Sequence, residues 1–273
     1  MGIVVGKFDG VLLASDFDDT LYDTTGQVCQ RNREALEYFL SQGGRFSVAT
    51  GRAYRTFSPF VHLVPMNAPA VLSNGSALYD FGQGVMLEQT FLPDHVREDF
   101  SALCEAFPAL GFEAYHGEEI YAYRPNAVTE GHMKKVGTTY TPVSRIEDMP
   151  LPWTKALVQQ EPELLFPVRP WLLERFGTEY EAIFSNPVYL EVTAKGSNKG
   201  GMVLRLAERL GIQREHIYCV GDNQNDIPML AVSAIPFAPA NCAQSVKEFG
   251  ARVLCHCDEG VLGDIVEILD TIY

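Results

Sequence analysis

The sequence predicts an α/β protein in which a doubly wound parallel sheet carries an inserted α+β domain. Short apolar runs of strand length alternate with helical segments over residues 11–75 and again over 188–273. Several of these runs end in polar residues, as the carboxyl ends of buried parallel strands do. Over residues 82–187 the pattern changes to local hairpins accompanied by helices, which is typical of α+β structure.

Within each half of the predicted core, strands and helices alternate. The N-terminal half has strands at 11–15, 45–50 and 70–72, a helix at 31–43 with Asn32 as its N-cap, and a helix at 53–63 that Pro59 interrupts. The C-terminal half has strands at 188–192, 217–220, 235–238 and 252–254, with helices at 199–210 and 261–269. Right-handed crossovers between such strands produce a Rossmann-like sheet.

The segment between the two halves is predicted to be antiparallel. It contains a hairpin of 77–79 with 85–87, paired strands at 111–115 and 119–123, helices at 93–107 and 126–136, a strand at 154–158, a proline-broken helix and a short strand. We therefore predict that residues 1–82 and 188–273 form the core domain and that 83–187 form the inserted domain.

Composition excludes several classes of function. The net charge of −14 disfavours nucleic acid or an anionic membrane as the main partner. No apolar run approaches the roughly 18–20 residues that span a bilayer, and the first residues lack the features of a signal peptide. We therefore expect a cytoplasmic protein with reduced cysteines, working as a monomer or a weak homodimer without nucleic acid or membrane.

Three carboxylates lie directly after the first predicted strand. Asp16 and Asp18 are two residues apart, so in extended backbone both side chains leave the same face. Two such anions repel unless a cation or a proton lies between them, and Mg²⁺ prefers oxygen ligands of this kind. A metal site and an ordinary solvated turn both remain possible from this stretch alone.

Three further strand ends or loops carry polar residues of complementary kinds: Thr50-Gly51-Arg52, the glycine-rich stretch 195–201 with Lys199, and Gly221-Asp222 followed by Asn225-Asp226. A hydroxyl group and free backbone amides at a helix N-terminus suit an anion. Taken singly, these segments also fit a turn, a solvated lysine and a helix cap. Only Asp222, directly after a buried strand, lacks such an explanation.

In this order the four segments resemble the motifs of the haloacid dehalogenase (HAD-like) hydrolase superfamily. Asp16-Phe17-Asp18-Asp19-Thr20 matches Asp-x-Asp-x-Thr, while Thr50, Lys199 and Gly221-Asp222-x-x-Asn225-Asp226 match the second, third and fourth motifs. The likeness extends to the Cof-like branch of sugar-phosphate phosphatases, through the Asn-Gly stretch at 73–76 and a C2-type cap inserted after the third strand. Asp19 replaces the glycine that is common in this branch.

The resemblance implies a Mg²⁺-dependent phosphatase. It assigns catalysis to Asp16, as the nucleophile that forms an aspartyl-phosphate, and to Asp18, as the general acid and base. It further implies that Mg²⁺ is held by Asp16, the backbone carbonyl of Asp18 and Asp222, with Asp226 ordering metal-bound water or Lys199. The phosphate-binding residues implied are Thr50, Gly51, Lys199 and Asn225, with Arg52 as a further candidate.

The substrate and two alternative functions stay open. Asp18 points to a phosphatase or a phosphomutase, because the superfamily's ion pumps have threonine there, so a hexose phosphomutase is the alternative reading. A non-catalytic ligand-binding protein on the same fold is disfavoured by the complete set of motif residues. We expect a small phosphorylated metabolite as the substrate. Six polar or aromatic cap residues are candidates for contacting its leaving group, although a role on the exposed surface is the favoured account of each: His116, Glu118, Tyr121, Tyr123, Arg124 and Lys134.

Overall fold

The computed structural model of the protein describes residues 6–273, so predictions that concern residues 1–5 lie outside the described residues. In this range helices α1 to α10 cover Gln30–Ser41, Tyr54–Phe57, Val96–Ala106, Ala127–Val136, Pro162–Leu165, Val168–Phe176, Lys199–Leu210, Ile227–Leu230, Gln244–Phe249 and Val261–Ile272. Strands β1 to β14 cover Leu12–Ser15, Arg45–Val48, Ala70–Leu72, Ala77–Asp80, Val85–Gln89, Gly111–His116, Glu119–Tyr123, Thr141–Val143, Lys155–Gln159, Tyr180–Asn186, Tyr189–Ala194, Ile217–Val220, Pro236–Ala238 and Arg252–Val253.

The core sheet has the order β14-β13-β12-β1-β2, and all four strand pairings are parallel. Every residue of β1 and β12 is buried. Along β1, Leu13 belongs to the hydrophobic cluster that includes α1 and α10, whereas Leu12 and Ala14 belong to the cluster that includes α7. Adjacent residues therefore face opposite helical layers, which confirms the predicted doubly wound α/β core.

Helix α1 differs from its prediction at the N-terminus. It begins at Gln30 with Cys29 as its N-cap, so Asn32 is not the cap. Asn32 is buried inside the helix, and its Oδ1 accepts a hydrogen bond of 2.9 Å from the backbone amide of Leu262 at the start of α10. The side chain of Asn32 therefore connects α1 to α10 on one face of the sheet instead of capping the N-terminus of α1.

A hairpin extends the core beyond its third strand. β3 continues the sheet through a parallel bridge between Ala49 and Val71, and β3, β4 and β5 then pair in antiparallel order. Leu78 of β4 is packed with the α7 side of the core. Strand β5, which the sequence places in the inserted domain, is therefore hydrogen-bonded to a strand of the core.

The inserted segment forms a six-stranded sheet of order β10-β11-β9-β6-β7-β8, antiparallel except for the β7–β8 pair. The prediction that residues 188–192 return the chain to the parallel sheet is wrong, because β11 pairs with β10 and β9 in antiparallel register. We propose from this pairing that the cap lies between Gln89 and Ala194, in place of the sequence-based boundaries at 83 and 187.

The cap has a hydrophobic core of its own. Trp153, Tyr180, Phe100 and Phe112 are among its largest fully buried side chains, and they pack between the six-stranded sheet and helices α3 and α6. Such a core gives the cap its own source of stability. None of the helices within residues 6–273 combines the length and the apolar character that crossing a membrane requires.

Candidate active site

The carboxyl ends of β1, β2 and β12 lie side by side at one edge of the core sheet. Asp16 follows β1 directly, Thr50 comes two residues after β2, and Asp222 comes two residues after β12. Parallel pairing brings these side chains together although they are far apart in the sequence. A cavity of about 280 Å³ opens at this edge, the position at which open α/β sheets bind ligands.

The cavity is lined from the core side by most of the predicted site residues: Asp16, Asp18, Thr50, Gly51, Asp222 and Asn225. Two predicted residues, Lys199 and Asp226, are fully buried behind this wall instead of lining it. The Lys199 ammonium group donates to Asp16 Oδ1 and to Asp226 Oδ1, both at 2.6 Å. Lys199 thus joins the third and fourth motifs to the first.

Lys199 is held at the start of a well-capped helix. Asn198 is the N-cap of α7, and its side chain accepts a hydrogen bond of 2.9 Å from the amide of Gly201. Burial by itself lowers the pKa of Lys199, but Asp16 and Asp226 outweigh this effect and hold the pKa above its ordinary value. Lys199 therefore stays a cation in contact with Asp16, as a buried charge with paired partners does.

Asp226 organises the loop that carries Asp222. Its Oδ2 accepts hydrogen bonds of 2.9 Å from the backbone amides of Asp222 and Asn223. A Cβ atom at Gly221 would lie 2.4 Å from the side chain of Asp226, so glycine is needed for this close approach. Both oxygens of Asp226 are thus occupied by donors from the protein.

The carboxylates at this edge fit a divalent cation. Oxygen atoms of Asp16, Asp222 and Asp226 lie within 4.8 Å of one another. Burial, together with the neighbouring carboxylates, raises the pKa of Asp16 to about 7 and the pKa of Asp222 to about 9. Lys199 is the one cation that touches this cluster among the described residues, so carboxylates outnumber cations, and hard oxygen donors of this kind suit Mg²⁺.

Asp18 is held by a bidentate ion pair. Arg52 Nε donates to Asp18 Oδ2 at 2.8 Å, and Arg52 Nη2 donates to Asp18 Oδ1 at 2.7 Å. The guanidinium group also lies over the ring of Phe60, 4.5 Å from its centre, and donates to the backbone oxygen of Thr56. Arg52, which the sequence marked as a further candidate for phosphate, therefore fixes the orientation of Asp18 in this structure.

The backbone explains the unusual residue at position 19. Asp19 has a φ of 59°, in the left-handed region that favours glycine, while its side chain is exposed and its amide donates to Tyr22 O at 2.9 Å. Aspartate is one of the few residues with a side chain that adopt this conformation readily. The exchange of the common glycine for Asp19 is thus compatible with the turn.

The structure adds Asn74 to the site, whereas the sequence indicated it only as part of the Asn-Gly stretch at 73–76. Asn74 is buried with a φ of 54°, and its Oδ1 accepts a hydrogen bond of 3.1 Å from Asn225 Nδ2. Asn74 Nδ2 is buried and has no hydrogen-bond partner among the described residues. A buried unpaired donor beside Gly51 and a strained backbone are the signals that identify it as a site residue.

The cap closes the cavity with residues other than those considered from the sequence. None of His116, Glu118, Tyr121, Tyr123, Arg124 and Lys134 lines it; the cap residues that do are Tyr115, His132, Lys135, Val136, Lys155, Ser185, Asn186, Tyr189 and Glu191. In β6 and α4 the neighbouring positions face the cavity instead of the expected ones, because adjacent residues of a strand or a helix point in different directions. Lys155 also donates to Gly51 O at 3.1 Å, which connects cap and core.

Comparisons with known proteins agree with this architecture. The family model for haloacid dehalogenase-like hydrolases matches residues 13–264. The 5-amino-6-(5-phospho-D-ribitylamino)uracil phosphatase YcsE of Bacillus subtilis is 24% identical over 239 residues, which cover 87% of this chain and 86% of that protein. The pyridoxal phosphate phosphatase YbhA of Escherichia coli is 23% identical over 251 residues, covering 86% and 90%.

A solved structure shows the same fold. The HAD-superfamily phosphatase BT1666 of Bacteroides thetaiotaomicron superposes with a TM-score of 0.83 at 22% identity, covering 98% of each chain. The family match spans the core, the cap and all four motifs. This chain therefore belongs to the haloacid dehalogenase-like hydrolases, in their Cof-like branch.

Proposed function

We propose that this chain is a Mg²⁺-dependent phosphatase that hydrolyses small phosphomonoesters through an aspartyl-phosphate intermediate. The arrangement of Asp16 carries the proposal: its carboxylate lines the cavity, and one of its oxygens contacts the buried ammonium group of Lys199 at 2.6 Å. A carboxylate positioned in this way is suited to attack a phosphoryl group. The phosphatase activities in the names of YcsE and YbhA support the same reaction class.

The reaction divides between the two carboxylates of the first motif. An oxygen of Asp16 forms a bond to phosphorus while the bond from phosphorus to the ester oxygen breaks. Asp18, protonated and released from one of its two hydrogen bonds to Arg52, gives its proton to the departing alkoxide. Asp18 then takes a proton from a water molecule whose oxygen attacks the phosphorus of the aspartyl-phosphate. Asp16 leaves with the bonding electron pair, so inorganic phosphate and the free enzyme result.

The remaining residues bind charge and hold geometry. The Thr50 hydroxyl, the Gly51 amide and the Asn225 amide group are the proposed donors to the phosphate oxygens, and Lys199 adds its positive charge next to Asp16. Asp16, Asp222 and the carbonyl of Asp18 are the proposed ligands of Mg²⁺, with Asp226 holding the loop behind them. When bound, this cation neutralises charge on the transferring group, which is a main requirement of phosphoryl transfer.

The size of the cavity supports a small substrate. Its volume of about 280 Å³ is at the lower limit of the roughly 300–1,000 Å³ that is common for small-molecule sites. The cap covers the site, so the alcohol part of the ester has to fit between the core wall and cap residues such as Tyr189 and Lys155. We therefore propose metabolites of sugar-phosphate size rather than phosphorylated proteins or nucleic acids.

Replacing Asp16 by asparagine tests the proposal. The side chain keeps its size but loses its nucleophilic oxygen, so we expect Mg²⁺-dependent hydrolysis of phenyl phosphate to fall by about 10³-fold or more, with an unchanged circular dichroism spectrum. The same exchange at Asp94, which is exposed in the cap, is the control and should leave turnover unchanged. Full turnover by the Asp16→Asn variant contradicts the assignment of the nucleophile.

A second measurement separates hydrolysis from phosphoryl transfer within a sugar. The purified protein is given hexose phosphates with Mg²⁺, and both inorganic phosphate and isomerised sugar phosphate are quantified. A phosphatase releases phosphate in excess of any isomerised product and stops when EDTA removes the metal. Isomerisation without phosphate release would instead identify a phosphomutase.

A further inference from the structure

The cap contains a buried carboxylate that the proposed reaction does not use. Glu113 of β6 has a fully buried side chain, yet its oxygens accept hydrogen bonds from Tyr115 Oη at 2.7 Å, Gln159 Nε2 at 2.5 Å and His132 Nδ1 at 3.0 Å. Burying a carboxylate is costly unless donors surround it. Three converging donors make Glu113 a fixed acceptor inside the cap.

The network around Glu113 is fixed from both sides. Gln159 Oε1 accepts a hydrogen bond of 2.7 Å from Thr129 of α4, so its amide nitrogen faces Glu113. Thr129 and His132 lie on the same helix, one turn apart, and that helix begins with a capping box at Asn126. Strand and helix are therefore locked in the relative position that places His132 against Glu113.

This arrangement determines which nitrogen of His132 is available. A carboxylate only accepts, so the nitrogen that contacts it, Nδ1, carries hydrogen, and Nε2 has no hydrogen-bond partner among the described residues. The imidazole packs against Tyr189 with ring centres 5.1 Å apart, and both residues line the cavity. His132 thus presents an oriented ring with one free nitrogen to the space that the alcohol part of a substrate occupies.

Charge balance on the cap side favours a neutral polar group at this place. Glu191 is paired with Lys155 at 2.9 Å, and the Glu113 carboxylate is surrounded by its three hydrogen-bond donors, with His132 Nδ1 at 3.0 Å. Among the described residues of the cap, Lys135 is the cavity-lining cation that forms no ion pair, and its side chain is exposed. A second phosphate or carboxylate would therefore find little buried positive charge, whereas hydroxyl groups would find several hydrogen-bonding side chains.

We propose that His132 is a specificity-determining residue that hydrogen-bonds a hydroxyl group of the substrate's alcohol. This inference rests on the proposed phosphatase function. Glu113 is then a positioning residue, because it acts on the substrate only through His132 and Tyr115. A site built to hydrogen-bond a hydroxyl discriminates against an analogue that lacks it, since the polar group is left unpaired.

The test compares a fixed set of esters. Ribose 5-phosphate, glucose 6-phosphate and glycerol 3-phosphate carry free hydroxyl groups, whereas phenyl phosphate does not. For the best of the three, we expect kcat/KM of the native protein to exceed that for phenyl phosphate by about tenfold or more. The His132→Ala variant should lose about tenfold or more on that ester, mainly through KM, and less than about twofold on phenyl phosphate.

Two variants complete the test. Glu113→Gln should also lower kcat/KM on the hydroxyl-bearing ester more than on phenyl phosphate, but by a smaller factor than His132→Ala. Lys134→Ala, on the exposed side of α4, should match the native protein. An equal loss on all esters, or no loss in His132→Ala, overturns the inference. So does a native protein that hydrolyses phenyl phosphate but none of the three hydroxyl-rich esters, which would leave the phosphatase proposal intact. A native protein inactive on every ester overturns the phosphatase proposal itself.

Discussion

Two carboxylates that are two residues apart acquire different partners in the folded chain. Asp16 contacts the buried Lys199, whereas Asp18 accepts hydrogen bonds from Nε and Nη2 of Arg52. The first environment places a cation next to the Asp16 carboxylate at the cavity wall, and the second orients the Asp18 carboxylate as a unit. The family resemblance assigns attack to Asp16 and proton transfer to Asp18, and these different contacts show that the fold treats the two carboxylates differently.

Replacing Arg52 by lysine tests the orientation of Asp18. An ammonium group keeps the charge but cannot make two parallel hydrogen bonds, so we expect kcat to fall by about tenfold with KM changed by less than about twofold. Arg55→Lys, at an exposed arginine of α2 three residues further along the chain, is the control. Steady-state kinetics on phenyl phosphate with Mg²⁺ provide the measurement, and a native kcat in Arg52→Lys argues against a positioning role.

The left-handed backbone at Asp19 leads to a prediction about stability. A β-branched side chain is strained at a φ of 59°, so Asp19→Val should lower the free energy of unfolding by about 1–2 kcal/mol, whereas Asp19→Gly should be close to neutral. Urea unfolding of the three proteins gives the comparison. Equal stability of the valine and glycine variants would show that the turn relaxes without cost.

At the scale of secondary-structure elements, two strands of the cap carry a buried ion pair towards the core. Lys155 of β9 and Glu191 of β11 are almost fully buried, and the ammonium group donates to Glu191 Oε2 at 2.9 Å and to Gly51 O at 3.1 Å. Gly51 belongs to the loop proposed to bind phosphate. The strand pair thus links the position of the cap to the geometry of that loop.

The energetic consequence of this ion pair is testable. Lys155→Met leaves a buried carboxylate without its partner, so we expect the free energy of unfolding to fall by about 3–5 kcal/mol. Adding Glu191→Leu removes the unpaired charge and should restore at least about half of the loss. Urea unfolding followed by tryptophan fluorescence reports on the cap, because Trp153 is in its core. A double variant less stable than Lys155→Met would contradict the coupling.

The molecule as a whole carries an excess of negative charge, although a phosphatase site has to accept an anion. The chain has a net charge of −14, and its buried carboxylates converge at one edge of the sheet. A divalent cation at that edge removes repulsion within the site and supplies local positive charge for a phosphate ester. Stability and metal binding are therefore expected to be linked.

The pKa shifts predict the direction of this linkage. The pKa values of Asp16 and Asp222 rise from 3.8 to about 7 and about 9, so the folded metal-free protein binds protons more tightly than the unfolded chain. Its stability should consequently fall as the pH rises through this range. We expect saturating Mg²⁺ to raise the unfolding midpoint by about 2–4 °C more at pH 8.5 than at pH 5.5.

Thermal unfolding in EDTA and in Mg²⁺ at the two pH values gives the result. The Asp222→Asn variant lacks one of the two titrating carboxylates, so its metal-free form should lose less stability between pH 5.5 and pH 8.5. An equal effect of Mg²⁺ at both pH values would contradict the linkage.

Local sequence patterns were sufficient for the alternation of strands and helices in the core and for the motifs that identify the family. The reason is that a few neighbouring residues encode these features: an apolar run predicts a strand buried on both faces, and cap residues predict the ends of a helix. The helix at Lys199 with its end at Gly211, and the break before Pro59, are confirmed for this reason.

Contacts between distant segments decided the rest. The sheet that β11 joins depends on its pairing with β9 and β10, and an apolar run looks alike in either sheet. Other features depend on the direction of side chains. They are the bidentate ion pair of Arg52 with Asp18, the unpaired amide of Asn74, and the position of Tyr115 instead of His116 at the cavity wall. Spacing within the sequence encodes periodicity, whereas the partner of a polar group is determined only when the chain has packed.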